Sequence, residues 1–211
     1  DINHYSSKLV LEENATDSQI DHVVDEVDGE KLMESSIEIK SGDVKKSGVV
    51  TVLDDNELYT PTDDDKNPIE ISDDEISLSK KMAEMLGVGV GDSVKWYIMG
   101  SDKWVNTKVT NLHSDPTSQG IVITKEKLDD LDLNYTVTSV ISSKEVDDNF
   151  TGVKTIFSME SLTDSWDEMM ESSMSVIYML AAFAAILSLI VLYNLGLLSF
   201  TEIKREFATL K

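Results

Sequence analysis

The chain has 211 residues, 40 of them acidic against 18 Lys plus Arg, for a net charge of −22, and it contains no cysteine. The acidic field repels nucleic acid and anionic lipid, so no nucleic-acid partner is expected. The missing cysteines exclude a disulfide framework, a thiolate metal site and a cysteine nucleophile, so the roughly 170 residues before the apolar C-terminal run must be held by their own core.

In chain order, Ser7 to Leu11 alternates as a strand, and Thr16 to Val27 reads as an amphipathic helix with Ile20, Val23, Val24 and Val27 on one face. Thr16 with Gln19 three positions later forms a capping box. Ser36 to Ile39 and Gly48 to Leu53 follow as strands, joined by a turn at Ser41, Gly42 and Asp43. From Asp54 to Asp74 runs a polar loop in which Pro61 and Pro68 forbid a helix, and it is expected to be a surface excursion. Its acids, Asp63, Asp64, Asp65, Asp73, Asp74 and Glu75, are calcium-type ligands, but Pro68 occupies the position where the sharp-turn glycine of an EF-hand loop belongs. No metal site is assigned.

Ser77 or Ser79 starts a helix whose apolar face is Met82, Ala83 and Leu86 and whose C-cap is Gly87. Gly91 and Asp92 turn into a strand over Ser93 to Met99, and Lys103 to Leu112 continues as its hairpin partner, with Trp96 and Trp104 as expected cross-strand neighbours. The glycines at 87, 89 and 91 follow a helix and precede a strand, the reverse of a nucleotide-binding loop. Ile121 to Ile123 is a strand, Lys125 to Leu131 a short helix and Tyr135 to Ile141 a strand. The fold class is α+β, an outer domain built on short antiparallel strands. His4, His22 and His113 are scattered without zinc spacing, and no GxSxG turn occurs, so neither a catalytic residue nor a cofactor site is assigned and the chain is expected not to be an enzyme.

From Ser158 the pattern becomes helical. Leu162, Trp166, Met169 and Met170 recur at spacings of three and four and form an amphipathic stalk over 158–174. The thirty residues Ser172 to Thr201 carry no formal charge, and the 18 residues Val176 to Tyr193 contain no proline or glycine. A bilayer core of about 30 Å needs about 20 such residues, so 175–200 is a transmembrane helix. Lys204, Arg205 and Lys211 follow the span, whereas no Lys or Arg occurs between Lys154 and its start. The basic end is therefore cytoplasmic, and the domain over 1–157 lies outside. Setting aside the two acids and three bases after Thr201 leaves 38 against 15 on the outer side. A cysteine-free outer domain fits a bacterial, Gram-positive surface, and a chain that starts at Asp1 without a leader is expected to be a segment of a longer protein.

In the tail over 201–211, Ile203, Phe207 and Leu210 form one apolar stripe beside Glu202, Lys204, Arg205 and Glu206. Glu202, Arg205, Glu206, Phe207, Ala208, Leu210 and Lys211 match a pattern E-x-x-R-E-[IFL]-[AG]-x-L-[KR]. Together with LSKKMAEMLGVGVGDSV in the outer domain, this resembles the permease subunit of the FtsX and MacB class of ABC transporters. The resemblance implies a cytoplasmic ATPase partner that binds the ATP, and a second permease copy or second half of the same permease. It also implies that Glu202, Arg205, Glu206, Phe207 and Leu210 start a coupling helix at the inner surface. Members either export a substrate or transmit ATP-driven motion to the outer domain. The alternative is the ligand-binding domain of a membrane sensor, which predicts a signalling linker or kinase after Lys211.

Overall fold

The computed structural model describes residues 4–73, 76–115 and 118–209, with the backbone alone for 160–168, 201–202 and 205–209. The chain separates into two compact units, residues 1–160 and 161–211. Asp74 and Glu75 of the acidic loop fall outside the described residues.

The first unit is a mixed sheet of ten described strands with three short helices. In chain order these are β1 (Ser7–Leu11), α1 (Asp17–Val27), β2 (Gly29–Ser41), β3 (Val44–Leu53), β4 (Ser77–Ser79), α2 (Lys80–Leu86) and β5 (Ser93–Ile98). After them come β6 (Val105–Lys108), β7 (Asn111–His113), β8 (Gly120–Thr124), α3 (Lys125–Asp130), β9 (Ser139–Ser142) and β10 (Val153–Ser158). Strand order along the sheet is β10-β1-β9-β2-β3-β8-β4-β7, with β5 on β2 and β6 on β5. Most pairings are antiparallel, as the sequence pattern implies, but β3 runs parallel to β8 and β4 parallel to β7. Parallel neighbours need crossovers, and the long excursions from β3 to β4 and from β4 to β7 supply them.

Local chemistry explains the first elements. Thr16 Oγ1 accepts from the Gln19 amide at 3.4 Å and Gln19 Oε1 accepts from the Thr16 amide at 2.9 Å, closing the capping box at the start of α1. Ile20, Val23 and Val27 then pack with Leu9, Leu11, Val140 and Val146 in one apolar cluster. The main cluster lies between β2, β3, β5, β8 and α2, with Ile37, Ile39, Val50, Val52, Met82, Trp96 and Ile123 fully enclosed. Trp96 Nε1 donates to Thr107 Oγ1 at 2.9 Å, satisfying the one polar atom of that buried ring. A third cluster joins Tyr5, Leu32, Tyr59, Val122 and Ile141.

Several elements differ from expectation for identifiable reasons. Ser77 to Ser79 is strand β4, with Ser79 as N-cap residue of α2, and Gly87 ends α2 at φ 68° as expected. The strand expected over Lys103 to Leu112 is two strands, β6 and β7, because Val109 still bonds to Gly91 and Asp92 at the end of the hairpin whereas Thr110 turns away and bonds to Ile76. Trp96 and Trp104 are not partners: Trp96 is opposite Val105 and buried, whereas Trp104 stacks on Tyr97 on the outer face. Tyr135 to Thr138 is extended but precedes β9, and β10 was not legible as a strand. The loop after β3 is not a free excursion. Tyr59, Pro61 and Thr62 are buried, Thr62 bridges Pro68 and Ser114, and burial holds the Tyr59 phenol far above its usual pKa.

Gly120 is where backbones approach most closely. A Cβ there would stand 1.8 Å from Val49 O, at the first register position of the β3 and β8 pair, while the Gly120 amide donates to Ser79 Oγ at 3.0 Å. Gly120→Ala is expected to cost about 3 kcal/mol, lowering the melting temperature by roughly 10 °C. Gly42→Ala, at a φ of 54° with open space around the position, should cost about 1 kcal/mol. Equal effects on thermal melting would contradict this packing.

His113 is 2% exposed and its Nδ1 lies 2.9 Å from Ser77 Oγ. Burial lowers its pKa from 6.5 to about 4. The unfolded chain therefore binds a proton between pH 6.5 and 4 that the folded chain does not. Stability from this residue is complete above pH 6.5 and falls as pH drops toward 4, by up to about 3 kcal/mol. Denaturant titrations of wild type and His113→Gln across this range should give curves whose difference changes with pH. Parallel curves would show that burial does not lower the His113 pKa in the folded protein.

Candidate functional site

The stalk and coupling residues expected from the sequence all belong to one element, α4 (Met159–Thr209), a helix of 51 residues, apart from Leu210, which lies outside the described residues. At 1.5 Å per residue α4 is about 77 Å long. Leu162, Trp166, Glu202, Arg205, Glu206 and Phe207 take helical backbone within it, their side chains lying outside what is described. Met169 and Met170 are 53% and 57% exposed. The helix begins without a connecting loop, since Ser158 is the last residue of β10 and Met159 the first of α4. The Met159 amide donates to Ser6 O at 2.8 Å, and Ser158 Oγ donates to Glu145 at 3.0 Å.

Met169–Phe200 within α4 is 32 residues long and apolar enough to cross a bilayer. Its large apolar side chains are exposed throughout, Leu180 by 61%, for example. That exposure is stable only in lipid or against partner helices. Two hydroxyls in this apolar stretch are satisfied within the helix, Ser173 donating to Met169 O and Ser188 to Ala184 O, both at 2.9 Å. Tyr178 and Tyr193, 15 residues apart, project from helix positions about 22 Å apart along the axis, a spacing that suits two interfacial belts. Beyond the apolar run the Lys204 ammonium sits 5.1 Å from the Phe200 ring centroid, keeping a cation at the end of the span.

The first unit has its own cleft, of about 640 Å³, between the β1 to α1 connection, the start of α3 and the extended run before β9. Leu11, Ala15, Ile20 and Val137 give it an apolar side, while Glu12, Asp17, Lys31, Asp54 and Lys125 give it charge. Lys125 Nζ donates to Asp54 at 2.8 Å and lies 4.8 Å over the Tyr135 ring. The bond to Asp54 raises the lysine pKa, and burial raises the Tyr135 phenol to about 12. The cleft suits binding by mixed apolar and ionic contact. Its residues come from five separated segments, so no sequence motif announces it.

Elsewhere polar side chains are engaged structurally. The Ser77 and His113 pair has a serine and an imidazole at hydrogen-bond distance, but both are buried and Ser77 is fully enclosed, so no substrate can reach the hydroxyl. Asp63 accepts from the Asp65 and Asn67 amides and from Asn67 Nδ2 at 2.9 to 3.0 Å, which turns it inward on its own loop. Those bonds lower its pKa, with Asn67 the main cause. Asp64 pairs with Lys80, which lowers its pKa likewise. Among the described residues no group of three His, Asp or Glu side chains converges on a metal-sized space.

No protein-family model matches the chain, and no curated protein matches it. Among solved structures it is similar to the extracellular domain of the noncanonic ABC-type transporter YknZ from Gram-positive bacteria. That likeness has 14% identity and a TM-score of 0.41, and covers 66% of this chain and 83% of that one. It is also similar to the periplasmic region of MacB from Actinobacillus actinomycetemcomitans, at 10% identity and a TM-score of 0.42, over 78% of this chain and 94% of that one.

Proposed function

We propose that this chain is the outer domain, stalk, membrane helix and start of the coupling helix of a bacterial ABC-transporter permease of the FtsX and MacB type. The domain faces the cell exterior, and the end at Lys204 and Arg205 faces the cytoplasm, where an ATPase subunit binds the ATP. The chain itself carries out no chemistry. It exports a substrate or relays ATP-driven motion to the outer domain, together with a second permease copy or half.

The observation that carries this reading is the junction at Ser158 and Met159. The last strand passes directly into one uninterrupted helix that contains the stalk, the apolar span and, through Thr209, the start of the segment matching the coupling pattern. A passive anchor needs neither that continuity nor a charged amphipathic end. Helix is stiff compared with a flexible linker, so displacement at one end is delivered to the other.

Purification of the protein from its native membrane should bring an ATP-binding cassette subunit with it. Phe207→Asp with Leu210→Asp should leave membrane insertion intact and reduce coupling of ATP hydrolysis to activity by at least about tenfold, since a buried apolar contact of about 1.5 kcal/mol or more is lost at each position. A kinase in place of the ATPase would replace this reading with the sensor, and unchanged coupling in the double variant would remove the coupling-helix assignment.

Insertion of two glycines after Met170 adds about 2 kcal/mol of helix cost at one point and turns the helix phase. Assembly with the ATPase should persist while activity falls severalfold. Full activity of that variant would remove mechanical relay through α4.

A further inference from the structure

One face of the first unit reverses the sign of the whole chain. In β2, β5 and β6, Ile37, Ile39, Val94, Trp96, Val105 and Thr107 point into the main core, so the alternate residues point to solvent. The register then makes rows of them. Lys40 is opposite Lys45 on β3 and opposite Lys95 on β5, and Lys95 is opposite Asn106 on β6. Opposed residues share a face, and strands are about 4.8 Å apart, so three lysine positions stand in line across about 10 Å, with the Lys40 and Lys45 side chains both reaching toward Trp104.

The next row along the strands is different in kind. Glu38 is opposite Ser47 and opposite Tyr97, and Trp104 packs on Tyr97 with ring centroids 4.5 Å apart. Glu38 is the acid within these two rows, and Lys45 approaches it at 3.1 Å. Lys40 Nζ lies 4.2 Å from the Trp104 centroid, so the aromatic pair also holds the central lysine in place. Trp104 is 40% exposed and serves no core, a role that Trp96 fills in the same hairpin. On the far side of the lysine row, Lys108 is opposite Ser93 and adds a fourth cation to the face.

We propose that this face binds an anionic polysaccharide, a linear glycan with one carboxylate, sulfate or phosphate per sugar. It would lie across the strands with its charges on Lys45, Lys40 and Lys95 and a sugar ring against Trp104 and Tyr97. The face is an open sheet surface, which suits a polymer better than a small anion. A charge at every strand step matches a glycan with one charge on each residue, and the C–H face of a sugar packs on an aromatic ring. The surrounding charge of −22 selects for a polymer that engages this row closely and against loose contact by any polyanion. The inference is independent of the permease reading.

The test is binding of the full chain in detergent micelles to immobilised polygalacturonate, with neutral dextran as control. Wild type should bind polygalacturonate and not dextran, with affinity falling as NaCl rises from about 50 to 200 mM. Lys40→Gln with Lys45→Gln and Lys95→Gln should weaken binding at least about tenfold, three ion pairs of about 0.5 kcal/mol each being lost. Trp104→Ala should weaken it severalfold without changing the melting temperature, because the residue lies outside the core. Failure of wild type to bind, or equal binding by the triple variant, would overturn the proposal. So would self-association that the triple variant abolishes without any glycan binding, which would assign the face to a second copy. Binding to phosphatidylglycerol vesicles but not to polygalacturonate would assign it to lipid.

Discussion

Strand β2 is the constraint on which the first unit depends. Its 13 residues serve three partners, with Gly29 to Leu32 on β9, Met33 to Ser41 on β3 and Ile37 to Lys40 also on β5. The change of partner falls between Leu32 and Met33, and both are buried, Leu32 in the cluster with Tyr59 and Ile141 and Met33 in the main one. A single strand therefore sends neighbouring side chains into two cores. The hand-over is fixed by hydrogen bonds from Thr138, whose hydroxyl accepts from the Glu34 amide at 2.7 Å while its own amide donates to Leu32 O at 3.0 Å. At the entry to β2, a Cβ on Gly29 would meet Val140 Cγ1 at 2.7 Å and Ile141 O at 2.9 Å, so the approach of β2 to β9 requires a glycine.

Without disulfides, the first unit is held by three apolar clusters tied by shared strands. Ser142 joins two of them from the polar side, with its hydroxyl donating to Val27 O at 2.6 Å at the end of α1 while its backbone pairs with both Ser7 and Gly29. A buried hydroxyl bonded in this way fixes register, because a slip of one residue would orphan it and turn the core face outward.

How much of this is legible in the sequence varies with how local the cause is. β1 and α1 follow from five alternating residues and a capping box, both contained within a few positions, and both appear at Ser7–Leu11 and Asp17–Val27. The start of β2 is not legible, because Leu32 and Met33 are buried on opposite sides and no alternation survives. β10 is hidden for the opposite reason: it is an edge strand whose Lys154, Thr155 and Phe157 are exposed, so it has little inward face to show. The two tryptophans of the hairpin are eight positions apart, an even spacing. The turn sets Trp96 against Val105, which sends Trp104 to the outer face. The lysine row and the cleft are products of register and long-range packing, and no window of sequence contains either. The apolar run in α4 is the reverse case, wholly visible because a membrane span is a local property of composition.

The chain thus answers to two solvents by different rules. In the first unit, polar backbone is satisfied between strands distant in sequence and apolar side chains are withdrawn. In α4 the backbone is satisfied within the helix, Ser173 and Ser188 close their hydroxyls on their own preceding turn, and apolar side chains stay outward. What joins these regimes is a single peptide bond between Ser158 and Met159, with β10 held to the sheet on one edge by β1. The pairing of β10 with β1 is irregular between Val10 and Leu11, and the irregularity lies at the end away from the helix, since Ser158 pairs with Ser7. The regular part of the ladder is therefore next to α4.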